Sequence, residues 1–234
     1  EPPHILDSSL VELSANQIQR FLQSKGYFNA TVTPELRIRN KKAKIDFVAQ
    51  LGDPYLVNTM HYTIPDSAIR EIYFADVQPS TSIVKHQQYD AAKLMEEREK
   101  LYLMAKNKGY YDFLRQYIRV GVDTNSVGHN ANLTFSVANP EQDKHQVFKI
   151  NKVSLNIQPY TNVSVSPTVL TDSITHIDFT DHTGAFRLKP IARYMFLRSG
   201  QLYSLAHENL SYDRLYEMNC FLNVKINYTK VDSN

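Results

Sequence analysis

The sequence predicts an α+β chain of small tandem modules, and three observations carry that expectation. A helix-patterned stretch runs twice into one short phrase, Lys25-Gly26-Tyr27-Phe28 and Lys108-Gly109-Tyr110-Tyr111. Alternating apolar residues follow each copy, so each helix feeds a hairpin with one buried face. The copies stand about 80 residues apart, too far for a solenoid repeat and suited to small domains in series.

In the first module, Ser14 and Gln17 form a candidate capping box, and Ile18, Phe21 and Leu22 make a helical stripe. Gly26 follows at the position where a left-handed residue ends a helix. Leu36 and Ile38 then alternate toward a turn at Asn40-Lys41, and Ala43, Ile45, Phe47 and Ala49 alternate back.

The second module is fuller. Tyr55–Ile64 reads as a strand between Pro54 and Pro65-Asp66, and a short helix follows from Asp66 or Ser67. Asp90 caps a second helix with Leu94, Leu101, Tyr102 and Ala105 as its stripe, and Glu96–Lys100 is expected as its solvated face. Past Gly109, Ile118, Val120 and Val122 alternate into a turn near Asn125–Gly128, and Ala131, Leu133, Phe135 and Val137 alternate out. The order is strand, helix, helix, strand, strand.

A third module opens at Phe148 with Val153, Leu155 and Ile157 as its first strand. The Ser-, Thr- and Asp-rich stretch 160–188 reads as an insertion, with an exposed hairpin as one form it can take. Helices are expected near Lys189–Leu197 and Ser204–Asn219, with a strand over Val224, Ile226 and Tyr228. Asn219-Cys220-Phe221 stands where the glycine phrase belongs. The expected boundaries are residues 1–52, 53–142 and 143–234. The outer two modules are incomplete, so missing partners are expected outside a fragment that opens on Glu1-Pro2-Pro3 without Met or signal peptide.

Composition narrows the function. Hydrophobic residues make up 42% and charged residues 21% of 234, enough to bury cores. A net charge of +2 is too balanced for a nucleic-acid partner. The single cysteine, Cys220, excludes an internal disulfide and is expected in the core, and seven glycines argue against phosphate-cradling loops. His176, Asp178, Asp181 and His182 cluster without metal-site spacing and read as a solvated loop, and no nucleophile elbow occurs. No catalytic residue, metal or cofactor is expected. Arg37, Arg39, Lys41, Lys42 and Lys44 surround the first hairpin turn, where they read as a solvated tip that blunts a strand edge. Anionic lipid headgroups or an acidic partner are the alternatives.

The element order, with the glycine phrase between second helix and second strand, resembles the POTRA domains of the BamA/TamA family of outer-membrane assembly factors. The wording is closest to the Bacteroidota TamA-like lipoproteins, TamL. Glu1-Pro2-Pro3, Gly26-Tyr27-Phe28-Asn29-Ala30, Gly52-Asp53-Pro54-Tyr55, Glu97–Tyr102 and Asn107–Phe113 carry the resemblance.

It implies β-α-α-β-β modules, each a three-stranded mixed sheet with two helices on one face. It also implies a periplasmic position ahead of a C-terminal membrane barrel, a lipid anchor, unfolded outer-membrane or surface-exported substrates, and a TamB-like bridging partner. In such a module the second strand is an open edge to which an incoming chain can add. That places the edge strands at Asp112–Val122 and Asn223–Lys230, with candidate docking residues Phe113, Arg115, Tyr117, Ile118, Arg119 and Val120, and Val224, Lys225, Ile226 and Tyr228. Thr31–Ile38, interrupted by Pro34, ranks lower. Gly26, Tyr27, Phe28, Gly109, Tyr110 and Tyr111 are the structural motif. The alternative from another class is a secreted adhesion or structural repeat protein that binds a protein partner.

Overall fold

Turns and caps set the limits of several elements among the described residues, and some differ from the nearest apparent signal. The computed structural model describes residues 6–126, 128–141, 144–160, 165–172 and 176–231. Glu1-Pro2-Pro3 lies outside them. Two compact units result, Glu1–Leu101 with Leu114–Asn139, and Tyr102–Phe113 with Pro140–Asn234.

In the first unit, helix α1 spans Ser8–Ser24. Its cap is Asp7, whose carboxylate accepts the Ser9 N–H at 2.9 Å. The expected cap, Ser14, lies inside the helix and donates its hydroxyl to the Leu10 carbonyl instead. Both residue types can cap, and Asp7 does so one turn and more upstream. Strands β1 (Thr31–Arg39) and β2 (Lys42–Gln50) form an antiparallel two-stranded sheet. Asn40 and Lys41 both take positive φ (51° and 60°), the two-residue turn whose twist matches a hairpin.

A second sheet has the order β3-β5-β4, with β3 at Leu56–Thr63, β4 at Ile118–Ser126 and β5 at Asn130–Val137. The central strand β5 runs parallel to β3 and antiparallel to β4. Ala131, Leu133, Phe135 and Val137 alternate into the core. Helix α2 (Ser67–Ile72) is capped by Asp66, and α3 (Ala91–Asn107) begins at Asp90, which accepts the Ala92 N–H at 2.9 Å.

A π-helical turn over Tyr73–Val77 follows α2 and buries Tyr73 against Phe135, the rings stacked 4.9 Å apart. The Tyr73 hydroxyl donates to Glu97 Oε1 at 2.7 Å. Glu97 is therefore 1% exposed and does not belong to a solvated face. Its neighbours do reach the surface. Arg98 donates to the Arg115 carbonyl, Glu99 pairs with Arg115 at 2.6 Å, and Lys100 pairs with Glu96.

The second unit holds a third sheet in the order β6-β8-β7: β6 at Val153–Ile157, β7 at Thr168–Thr171 and β8 at Ile177–Asp181. Helices α4 (Leu188–Ala192) and α5 (Leu205–Glu217) follow. The stretch 160–188 does hold an antiparallel pair, β7 with β8, but rather than standing apart from the module it supplies two of the three strands of this sheet. Its polar composition concealed the alternation of Ile177, Phe179 and Asp181, all fully buried.

Asn223–Lys230 carries no strand. The central strand β8 is already flanked by β6 and β7, and the segment joins neither of their outer edges. Val224, Ile226 and Tyr228 instead pack onto the core beneath that sheet. Cys220 is exposed, contrary to expectation, because Phe221 rather than Cys220 turns inward to stack on Phe186.

Asp181 explains how a carboxylate is tolerated in this core. It accepts the Thr183 N–H at 2.8 Å, the Thr183 hydroxyl at 2.6 Å and the Phe186 N–H at 3.0 Å. Burial pushes its pKa up, but these hydrogen bonds outweigh burial and hold it below the ordinary 3.8. A depressed folded pKa stabilises above the unfolded value and loses that stability as pH falls through the folded one. Asp181→Ala should therefore destabilise the second unit by about 3 kcal/mol at neutral pH, through three orphaned donors. Urea unfolding at pH 7 and pH 2 checks this, and the gap between variant and parent should narrow at pH 2.

Candidate functional site

Two features of the backbone stand out, an open strand edge and a clasp used twice. The second sheet has two edges, and they are unequal. Along β3, the segment after the 3-10 turn folds back: Val57 N–H donates to the Gln87 carbonyl at 2.8 Å, and His86 N–H donates to the Val57 carbonyl at 2.7 Å. The start of that edge, at Leu56 and Val57, is occupied, while among the described residues no backbone hydrogen bond reaches Asn58–Thr63 from outside the sheet. Strand β4 has β5 as its sole strand neighbour among the described residues.

The direction of β4's backbone groups follows from one bond. Ala138 N–H donates to the Tyr117 carbonyl at 2.9 Å. Antiparallel ladders alternate, so Arg119 and Gly121 direct their N–H and C=O groups toward β5, and Val120 and Val122 direct theirs outward. Among the described residues no backbone hydrogen bond reaches Val120 or Val122 from outside the sheet. A register shift between Asp123 and Ser126 limits the regular part of this edge to its first half.

The residues expected to dock a partner divide accordingly. Ile118, Arg119 and Val120 lie on the open strand. Phe113 does not, being buried 4.8 Å from His145 in the second unit. Arg115 and Tyr117 form a 3-10 turn before the strand, with Arg115 tied to Glu99, which holds the Glu99 carboxyl below its usual range. Val224, Lys225, Ile226 and Tyr228 belong to no strand. A further edge is β7, exposed at all four residues; an exposed hairpin within 160–188 was expected, but not its place at the edge of the three-stranded sheet, for which the Thr168–Thr171 run of β-formers after Pro167 was the signal.

The glycine phrases do more than stop helices. Each closes a Schellman motif: Tyr27 N–H donates to the Leu22 carbonyl, and Tyr110 N–H to the Ala105 carbonyl. The glycine carbonyl then accepts a bond from a distant aromatic residue, Tyr55 N–H at 2.9 Å on Gly26 and Phe148 N–H at 2.8 Å on Gly109. That aromatic's own carbonyl accepts the N–H of a second aromatic, Tyr89 or Tyr203, at 2.9 Å in both copies. Ring contacts lock the relay. Phe28 lies 5.0 Å from Tyr55 and 5.1 Å from Tyr89, and Tyr111 lies 5.9 Å from Phe148 and 5.0 Å from Tyr203.

Each clasp also ties one helix end to the start of another. In the first unit Lys25 Nζ pairs with the cap Asp90 at 2.8 Å, holding that carboxyl below its usual range. In the second unit Asn107 Oδ1 accepts the Ser204 hydroxyl and the Ala206 N–H at the start of α5. There the buried Lys106 ammonium lies 4.9 Å from both the Tyr111 and Tyr203 rings and donates to the Tyr111 carbonyl. Lys230 pairs with Asp112 at 2.6 Å, and Tyr228 packs 5.1 Å from Tyr111, which accounts for the course of the segment expected as a strand.

Asn219 takes the glycine's place at the end of α5. It follows the cap Met218 and adopts φ 52°, a left-handed conformation that Asn tolerates best after Gly.

The cluster near His176 has a structural explanation. Asp178 pairs with Lys152 and with the Thr171 hydroxyl, and Asp181 is committed to the turn after β8. Both therefore stand on a strand rather than in a solvated loop. Among the described residues, no three His, Cys, Asp or Glu side chains are placed to hold a metal ion.

Comparison with known proteins agrees with this architecture. The POTRA family, described as "Surface antigen variable number repeat", matches residues 1–50. No curated protein matches the chain in sequence. Among solved structures, POTRA3–5 of BamA from Haemophilus influenzae is similar, at 11% identity and a TM-score of 0.53, over 95% of this chain and 75% of that one.

BamA from Haemophilus ducreyi lacking POTRA domains 1–3 matches at 12% identity and a TM-score of 0.38, over 62% of this chain and 25% of that one. POTRA1–3 of the periplasmic domain of Omp85 from Anabaena matches at 13% and 0.32, over 96% and 76%. The last two scores are too low to carry an argument. By fold the chain is similar to the POTRA domains of BamA, and its first 50 residues match the POTRA family.

Proposed function

We propose that this chain is the periplasmic docking region of an outer-membrane β-barrel assembly or translocation factor, made of three POTRA modules with boundaries near 1–52, 53–142 and 143–234. It takes unfolded outer-membrane or surface-exported polypeptides as an added strand on β4. The observation that carries this reading is the β4 edge of the second sheet, where the outward groups of Val120 and Val122 have no partner strand, whereas the β3 edge is occupied at its start, Leu56 and Val57. Pairing through main-chain bonds demands little of the incoming sequence, which suits a region that meets many substrates. Nothing in this mode of action calls for catalysis.

The TamA-like branch, a TamB-like bridging partner, a lipid anchor and a C-terminal barrel belong to the same proposal. They rest on the wording of Glu97–Phe113.

Proline scanning with cross-linking tests the edge. A photoreactive side chain at Gly121 is exposed to a urea-unfolded outer-membrane barrel polypeptide diluted into buffer. Val120→Pro removes an outward donor and leaves the ladder to β5 intact, so cross-linking should fall roughly tenfold while the fold persists. Arg119→Pro removes a ladder bond and should destabilise the sheet itself. Cross-linking that survives Val120→Pro in a folded chain contradicts the docking edge.

A further inference from the structure

The tip of the first hairpin holds more like charge than a stable strand edge needs. The register of β1 and β2 sets Arg37 directly opposite Lys44 and Arg39 directly opposite Lys42, and Lys41 sits at the apex. Like charges opposite one another weaken a hairpin, and a single lysine is enough to deter edge pairing. Arg37 is offset by Glu35 at 3.1 Å and Lys44 by Asp46 at 3.0 Å. Arg39, Lys41 and Lys42 have no acidic partner among the described residues. The opposite face of the same tip is aliphatic and open, with Ile38 65% and Leu36 45% exposed.

We propose that this hairpin tip is a docking point for an anionic lipid surface. Two of its properties favour a bilayer over an acidic protein. The tight left-handed turn at Asn40 and Lys41 makes a narrow convex end, which touches a flat interface readily and offers a protein partner no concavity. Basic groups and exposed aliphatics also share one end of the ribbon, the combination that interfacial binding uses when apolar contact adds to headgroup attraction. Arg39, Lys41 and Lys42 would meet lipid phosphates and Ile38 the headgroup boundary. This inference does not depend on the β4 edge.

Vesicle co-sedimentation of the full chain tests it, with vesicles of phosphatidylcholine alone and with about one third phosphatidylglycerol. Binding is expected only to the anionic vesicles, and to weaken sharply between about 0.05 M and 0.5 M salt. The Arg39→Gln/Lys41→Gln/Lys42→Gln variant should bind on the order of 100-fold more weakly, about fivefold per charge removed. It should fold at least as well as the parent, because repulsion across the hairpin is relieved.

The control Lys85→Gln/Lys149→Gln/Lys189→Gln removes the same charge from exposed sites elsewhere, and Ile38→Ser removes the aliphatic contribution. Both should fold, the control keeping nearly full binding and Ile38→Ser losing several-fold. Three results overturn the proposal. One is no preference for anionic vesicles, another is equal loss in the tip and control variants, and the third is tip-dependent binding to polyglutamate without binding to vesicles.

Discussion

Tyr73→Phe is expected to destabilise the first unit by about 3 kcal/mol, although it removes a single oxygen atom. The Tyr73 ring is fully buried between Phe135, Tyr62 and Phe74, and its hydroxyl donates to Glu97 at 2.7 Å. Losing that donor leaves a nearly inaccessible carboxylate with its chief partner gone, a penalty that falls on the surviving group. Removing both partners is a different experiment. Tyr73→Phe combined with Glu97→Leu replaces the pair with apolar groups of similar size and should recover most of the loss.

A urea-unfolding cycle over the four chains gives the coupling directly. A single Tyr73→Phe variant within 0.5 kcal/mol of the parent, roughly the noise of such cycles, contradicts the account of this pair. The alkaline limb gives a second check. Burial, and then the hydrogen bond to Glu97, raise the Tyr73 pKa above 10.0. A raised folded pKa stabilises below the unfolded value, so stability should decline as pH rises beyond about 10 in the parent and less so in Tyr73→Phe.

Gly26→Ala should cost about 3 kcal/mol, and Gly109→Ala about 2 kcal/mol. Both glycines lie at φ near the left-handed limit, 94° and 100°. They differ in what a methyl group meets. At Gly26 it would come within 2.9 Å of the Tyr89 carbonyl oxygen, a backbone atom held inside the clasp. At Gly109 it would come within 2.8 Å of Val147 Cγ1, the end of a side chain that can rotate away.

Gly200 is the internal comparison, with φ 81° and nothing within 4 Å. Gly200→Ala should therefore show backbone strain alone, about 1 kcal/mol. Thermal and urea unfolding of the three variants should rank Gly26 above Gly109 above Gly200. Equal or reversed costs contradict the clasp, because left-handed backbone strain alone would make all three equivalent.

The repeat was legible in the sequence because glycine and aromatic residues recur with the same helix before and hairpin after. Its use as a clasp was not. Tyr55, Tyr89, Phe148 and Tyr203 are remote from the phrases along the chain, and the bonds that join them run between backbone atoms with no residue signature. Glu97 was misread for a related reason. It stands in a charged run, and its partner Tyr73 arrives from a π turn that no helical period marks.

The stretch 160–188 hid two strands behind serine, threonine and aspartate, one of those aspartates buried at the end of β8, where it ties down the following turn. At the open edge, alternation located the strand over Ile118–Val122, but the expected start at Asp112 was too early, because Arg115–Tyr117 form a 3-10 turn. The direction of each N–H came from the Tyr117–Ala138 bond, which only the folded register supplies.

Backbone amide exchange on β4 tests the central claim, that this edge accepts an added strand. The chain is mixed with an unfolded outer-membrane barrel polypeptide, and exchange is followed residue by residue. Val120 and Val122 should gain protection, while Arg119 and Gly121, already bonded to β5, should stay as they were. Unchanged exchange at Val120 and Val122 under conditions where the polypeptide is bound would contradict the claim and move the docking site elsewhere on the chain.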